Sequence, residues 1–256
     1  MATYLLKKSY QLKDLKEIKF KDLWGEHGIF TTMWVFGKPT KILFFEPHIN
    51  NLIKSLKKYG IKRKFLKRDI LKILNENLSK RKRYNNLLRI ALTKKVISIS
   101  LRKRISPRLD FTLRLVDFKR EKPLYKNLKY KKILSYLSKL NTAKEDIALC
   151  VNKKILETGT SNLLFVSKNK IYSPKTDYYS GVNLRFYQNR ISIIKKDIYT
   201  NNLDKFEEIL LVGSGKGVVS VKFIESCDWK RKSKFIYNKL FNIFKKELNK
   251  KKYIFK

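Results

Sequence analysis

The stretch DIALCVNKKILETGTSNLLFVSKNKIYSP, residues 146–174, constrains the fold more than any other part of the chain. Its apolar runs are too short for helices and are cut by the polar turns NKK and SKNK, which predicts three consecutive short strands. A second sheet signal begins at Gly28, where GIFTTMWVFGKPTKILFFEPH sets two apolar runs around the turn GKPT and so reads as a hairpin. Between these signals the period changes. HINNLIKSLKKYGI carries Ile49, Leu52, Ile53 and Leu56 at helical spacing, FLKRDILKILNENL repeats it, and KKVISISLRK and RLDFTLRLVDF alternate as half-buried strands. REKPLYKN, charged and poor in apolar surface, reads as a linker. LKYKKILSYLSKLN then predicts a helix, GVNLRFYQNRISIIKK a helix after a loop, and EEILLVGSGKGVVSVKFIE a strand, a glycine turn and a strand. The expected fold is α+β, with a smaller N-terminal domain over 1–119, a linker over 120–127 and a larger C-terminal domain over 128–256. In the tail, Phe235, Ile236, Leu240, Phe241, Ile243, Phe244 and Leu248 form one helical stripe, which predicts a docked amphipathic helix.

Lys and Arg number 61 against 21 Asp and Glu, a net charge of +40. Such a charge suits nucleic acid or an anionic membrane surface. The basic residues are nevertheless spread along the chain, and apolar periodicity runs through them. Lys, Asn, Ile, Phe and Tyr share A/T-rich codons and are all abundant, while Gly and Pro number only 9 and 5, so coding bias accounts for the charge without a polyanionic partner. No zinc-finger spacing, basic zipper or aromatic RNA-binding signature occurs, and neither a specific nucleic acid nor a membrane is expected as a partner. Two cysteines, Cys150 and Cys227, make no disulfide framework, and the N-terminus lacks the apolar core of a signal peptide, so a cytoplasmic location is expected. With only His27 and His48 and no Cys/His cluster, no metal is expected.

Two features carry chemistry. LVGSGKGVVSV, Leu211 to Val221, resembles a phosphate-binding glycine loop, yet Leu210 stands where a nucleotide P-loop needs Gly, Gly217 follows Lys216 in place of a magnesium-binding hydroxyl, and Val218 takes the third glycine slot of a dinucleotide fingerprint. The phosphate therefore belongs to something else. LETGTSNLLFV places Glu157 at a strand end beside a turn of hydroxyls and an Asn, and a carboxylate there is costly to bury unless a cation faces it.

ETGTSNLLFV (Glu157 to Val166), YSP (Tyr172 to Pro174) and GVN (Gly181 to Asn183) follow one another in the order and spacing of the class IV aminotransferase family, the pyridoxal-phosphate enzymes of fold type IV. GIFTTM, HINNL, PLYKNLK and LVGSGKGVVSV also resemble family segments, so the likeness spans about Gly28 to Ile224. It implies two α/β domains of the D-amino-acid aminotransferase type, a homodimer, and pyridoxal 5'-phosphate as cofactor. It further implies that Lys129, six positions after Pro123, binds the cofactor's aldehyde, with Lys131 and Lys132 nearby to favour its neutral form. Glu157 pairs with the ring nitrogen, in the motif that ends at Asn162. Gly181, Val182 and Asn183 offer amides at a helix start to the phosphate, and Ser214, Gly215 and Lys216 close the phosphate cup from the other side. Asn51 stands where the family usually places a phosphate-gripping Arg, and Tyr179 where many members have Leu.

Three activities compete within the family: branched-chain aminotransferase, D-amino-acid aminotransferase and 4-amino-4-deoxychorismate lyase. The short chain, FTTM and GVN resemble the lyase, which implies release of p-aminobenzoate, a folate precursor, and pyruvate. The alternative of another class is a basic nucleic-acid or membrane-surface binding protein on a decayed scaffold of this type.

Overall fold

The structure is a computed structural model that describes residues 3–225 and 227–255. The chain divides into two compact units, one of residues 1–104, 125–131 and 250–256, the other of residues 105–124 and 132–249. Neither boundary follows the division at 119 and 128 expected from sequence.

The first unit holds β1 (Tyr4–Gln11), β2 (Glu17–Ile18), β3 (Ile29–Gly37), β4 (Lys41–Ile42), α1 (Phe45–Lys58), α2 (Leu66–Asn77), β5 (Tyr84–Leu92) and β6 (Val96–Lys103). Its strands form an antiparallel sheet in the order β2-β1-β6-β5-β3-β4. Alternation decides which side chains face the helices. Leu88, Ile90 and Leu92 of β5 join Met33 and Val35 of β3 in one core, which Ile49, Leu52 and Leu56 of α1 and Ile70, Ile73 and Leu74 of α2 complete. Phe30 and Ala91 belong instead to a smaller cluster with Leu23, Val96 and Leu128. Residues 125–127 of the expected linker, and Leu128 after them, are partly paired: Phe30 N–H donates to the Lys126 carbonyl, Leu128 N–H to the Gly28 carbonyl, and Asn127 bridges Ile29.

The second unit holds β7 (Asp110–Asp117), α3 (Lys131–Leu137, from its second residue), β8 (Glu145–Val151), β9 (Lys154–Thr158), β10 (Asn162–Ser167), β11 (Lys170–Ser173), α4 (Val182–Gln188), β12 (Ile194–Lys195), β13 (Ile198–Tyr199), β14 (Glu208–Gly213), β15 (Gly217–Ile224) and α5 (Phe235–Leu248). The sheet order is β12-β11-β10-β14-β15-β7-β8-β9-β13, with β7 parallel to both β15 and β8. Residues 146–174 therefore give four strands where three were expected, because Gly159–Ser161 make a third turn. Phe111, Leu163, Phe165, Ile209, Leu211, Val219 and Val221 build the core on one face. Helices α4 and α5 pack near β14 and β15, and the Tyr187 hydroxyl donates to the Leu240 carbonyl at 3.2 Å. Burial on α5 falls on Ile236, Tyr237, Leu240, Phe244 and Glu247, while Phe235 and Phe241 of the expected stripe are exposed.

Candidate active site

Glu157 is the penultimate residue of β9, inside the second unit, and is buried. The cation that its burial requires is Arg120, whose Nε donates to Glu157 Oε1 at 2.7 Å and whose Nη2 donates to the Pro123 carbonyl at 2.8 Å. Both side chains of the pair are almost fully withdrawn from water. Arg120 was not singled out in the sequence. One residue earlier, Lys119 pairs with Asp177 at 2.8 Å, and this hydrogen bond holds the Asp177 carboxyl below its ordinary value. The segment after β7 is thus stapled twice, to the end of β9 and to the turn before Tyr179. The Tyr179 N–H in turn donates to Glu157 Oε2 at 3.3 Å.

The same turn is held from β10. Asn162 donates through Nδ2 to the Tyr179 carbonyl at 2.6 Å and accepts the Gly181 N–H on Oδ1 at 3.0 Å. A Cβ on Gly181 would lie 2.7 Å from that Asn162 oxygen, so only glycine lets the turn come this close. Asn183, buried on α4, donates to the Gly213 carbonyl at 3.3 Å and accepts from the Ser214 hydroxyl at 3.4 Å. The turns carrying Asn162, Gly181–Asn183 and Ser214–Lys216 are thereby joined by side-chain hydrogen bonds into one cup. Helix α4 has only two turns, so its N-terminal amides, which lack intrahelical acceptors, matter more than any macrodipole. The Lys216 ammonium, expected on a phosphate, bonds Asp146 at 2.7 Å.

Lys129 lies in the first unit, at the end of the segment that pairs with β3, and its N–H donates to Asn127 Oδ1 at 3.1 Å. The residue is exposed. Lys131 lies across Gly25, and the Lys132 ammonium stands 5.2 Å from the Tyr136 ring centre. Also in the first unit, Thr31 Oγ1 and His48 Nδ1 share a buried hydrogen bond of 2.8 Å, and Asn51 is half-buried one turn further along α1.

In backbone, the chain is similar to branched-chain aminotransferase from Thermoproteus uzoniensis with norvaline, at TM-score 0.76, 14% identity and 96% coverage of both chains. It is also similar to a protein from Legionella pneumophila named as a candidate 4-amino-4-deoxychorismate lyase, at TM-score 0.70 and 16% identity, covering 86% of this chain and 91% of that one. A hypothetical aminotransferase from Mycobacterium tuberculosis in a PLP-bound form matches at TM-score 0.70 and 12% identity over 95% and 99% of the two chains. At these identities the likeness concerns the fold, which is that of fold-type IV enzymes. Residues 28–224 match the model of the amino-transferase class IV family, and the chain belongs to that family of pyridoxal-phosphate enzymes. No curated protein matches it.

Proposed function

We propose that the chain is a pyridoxal-phosphate-dependent 4-amino-4-deoxychorismate lyase that releases p-aminobenzoate and pyruvate. The observation that carries the cofactor assignment is the continuous network from Arg120 and Glu157 through Tyr179, Asn162 and Gly181 to a cup of three turns. A cofactor with a basic ring nitrogen at one end and a phosphate at the other needs both features. The residues fit it: a carboxylate has about four acceptor positions, enough to take a ring N–H besides its present partners, and the start of α4, held in place by the Asn162–Gly181 bond, presents N-terminal amides that have no intrahelical acceptor.

When bound, the cofactor supplies an electron sink for the carbanion that proton removal creates. Glu157 would hold the proton on the ring nitrogen, with Arg120 fixing the carboxylate's orientation. Amides of Val182, Asn183, Ser214 and Gly215 would hold the phosphate. Lys129 would carry the cofactor between turnovers. The Lys129 amine would also remove the proton from the ring carbon bearing nitrogen. The C–O bond to the enolpyruvyl group then breaks, enolpyruvate takes up a proton to leave as pyruvate, and aromatisation drives the step.

The choice of lyase is supported by FTTM and GVN, in which Thr31 is bonded to His48 and Asn183 to both Gly213 and Ser214. The second reading, an aminotransferase, is supported by the backbone match to the Thermoproteus enzyme. A cytoplasmic homodimer is part of the proposal, and light scattering on the eluted protein tests the dimer. Aminodeoxychorismate supplied without any keto acid should yield p-aminobenzoate and pyruvate in equal amounts. Rapid amino transfer from leucine or D-alanine to 2-oxoglutarate, with no p-aminobenzoate formed, would move the assignment to the second reading. Borohydride reduction and peptide mapping should put the pyridoxyl group on Lys129, and a label on Lys126 or Lys132 would reject that residue.

A further inference from the structure

Asp146, near the start of β8, is fully buried, and its carboxylate is crowded with donors. Oδ1 accepts the Ile147 N–H at 2.9 Å, and Oδ2 accepts the Thr158 hydroxyl at 2.9 Å, the Thr160 hydroxyl at 2.7 Å and the Lys216 ammonium at 2.7 Å. Lys216 also bonds the Thr160 hydroxyl and lies 5.2 Å from the centre of the Phe111 ring. Among the described residues it is the one cation within ion-pair distance of Asp146.

We propose that Lys216 is a positioning residue that acts through Asp146, clamping the Ser214–Gly217 turn onto the Thr158–Asn162 turn and so setting the spacing between two walls of the cup. A buried carboxylate that loses its only cation is strongly destabilised, so the ammonium is held at Asp146 and not at a ligand. Close packing adds to the clamp, since a Cβ on Gly213 would stand 2.7 Å from Ser161 Oγ. Lys216 belongs to the turn that carries Ser214, and Thr158 and Thr160 to the turn that leads into Asn162, the residue that holds Gly181. Displacing the ammonium therefore moves phosphate donors that Lys216 does not touch. Its charge contributes by neutralising a carboxylate behind the cup, and phosphate recognition is left to backbone amides and the Ser214 hydroxyl.

The inference rests on the cofactor assignment above, and the test separates the two. Pyridoxal phosphate and pyridoxal, which lacks the phosphate, are titrated against the full chain and its Lys216→Met, Asp146→Asn, double and Lys216→Arg variants. Each single variant should bind pyridoxal phosphate about tenfold more weakly, the effect of roughly 1.4 kcal/mol of misplaced hydrogen bonding. The double variant should be no worse than the weaker single one, Lys216→Arg should stay near the parent, and pyridoxal affinity should be unchanged throughout. If Lys216 touches the phosphate itself, Asp146→Asn frees the ammonium and binding is unchanged or tighter, while Lys216→Met is weakened; that pattern overturns the proposal. Equal binding by both single variants and the parent overturns it as well. A parent that binds no pyridoxal phosphate defeats the cofactor assignment, and the clamp is then read from amide hydrogen exchange. Faster exchange at residues 213–217 in Lys216→Met, with β10 unchanged, upholds the clamp, and unaltered exchange there rejects it.

Discussion

Glu157 and Arg120 form the kind of pair in which each charge is tolerable only because of the other. Arg120→Met leaves a carboxylate buried without its cation, which typically costs about 3–5 kcal/mol. Urea denaturation should show a loss of that size, and Arg120→Met combined with Glu157→Gln should recover much of it; a loss confined to the scale of a surface pair, under about 1 kcal/mol, would mean the site hydrates freely. Glu157 was legible in the sequence, including its need for a cation. Arg120 was not, because among 61 Lys and Arg no spacing marks which one turns inward. Asp146 was missed for the complementary reason: beside Glu145 at the head of a strand it looks solvated, and only the fold buries it. The cysteines divide in the same way. Burial pushes the Cys150 thiol up to about 12, whereas Cys227 is only partly covered. Since the thiolate is the reactive form, an alkylating reagent at pH 8 should modify Cys227 in the native protein and reach Cys150 only after unfolding. Two thiols reacting at equal rates would show that the β8 side of the core is open.

At the level of elements, β7 is tied through its first residue to the segment that leads into α5. Asp110 bonds Arg231 at 2.6 Å and Lys234 at 3.1 Å, both from the segment that leads into α5, and the Arg231 hydrogen bond is the main reason its carboxyl lies below the ordinary 3.8. A depressed carboxylate contributes stability that is fully present above the unfolded-state value and disappears as pH falls through the lower folded value. Asp110→Asn should therefore be less stable than the parent at pH 7 by under about 1 kcal/mol, since the group is partly exposed. The gap should close only below the ordinary carboxylate range, and a gap constant from pH 7 to 2 would show that charge plays no part. The position of β7 also marks where local pattern stops being informative. RLDFTLRLVDF reads correctly as a strand, but its partners β15 and β8 run parallel to it, and β15 is far from it in sequence, a pairing that needs crossovers no local period records. Strand β5 escaped the sequence altogether because YNNLLRIAL is buried on nearly every residue and so lacks alternation. Strand β1, YLLKKSYQ, escaped because much of it is exposed. The strong signals survived: α1, α2 and the glycine turn between β14 and β15 lie where periodicity and turn chemistry put them, and the GKPT turn joins an antiparallel pair whose second arm is only Lys41–Ile42, since Phe45 already starts α1.

Across the whole molecule the open matter is what a net charge of +40 does. The buried carboxylates of Glu157 and Asp146 are each matched by one cation, so these pairs leave the cationic excess at the surface unchanged and free to repel itself. Among the described residues no helix is long and apolar enough to cross a membrane. If the excess follows from coding bias, its effects are those of a diffuse charge. Raising salt from 50 to 500 mM should then raise the unfolding temperature, because screening shortens the reach of repulsion from about 14 Å to about 4 Å. Duplex DNA should bind at low salt, with log affinity falling linearly against log salt, equally for two unrelated sequences and by about a thousandfold or more between 50 and 200 mM if six or more phosphates are engaged. Cofactor absorbance, which depends on groups close to the ring and not on diffuse surface charge, should stay constant across the same range. Anisotropy with two labelled duplexes checks this directly. Binding that survives 200 mM salt and prefers one sequence by tenfold or more would mean that the basic surface is organised for a nucleic acid, since diffuse charge lowers every affinity together and cannot choose between bases.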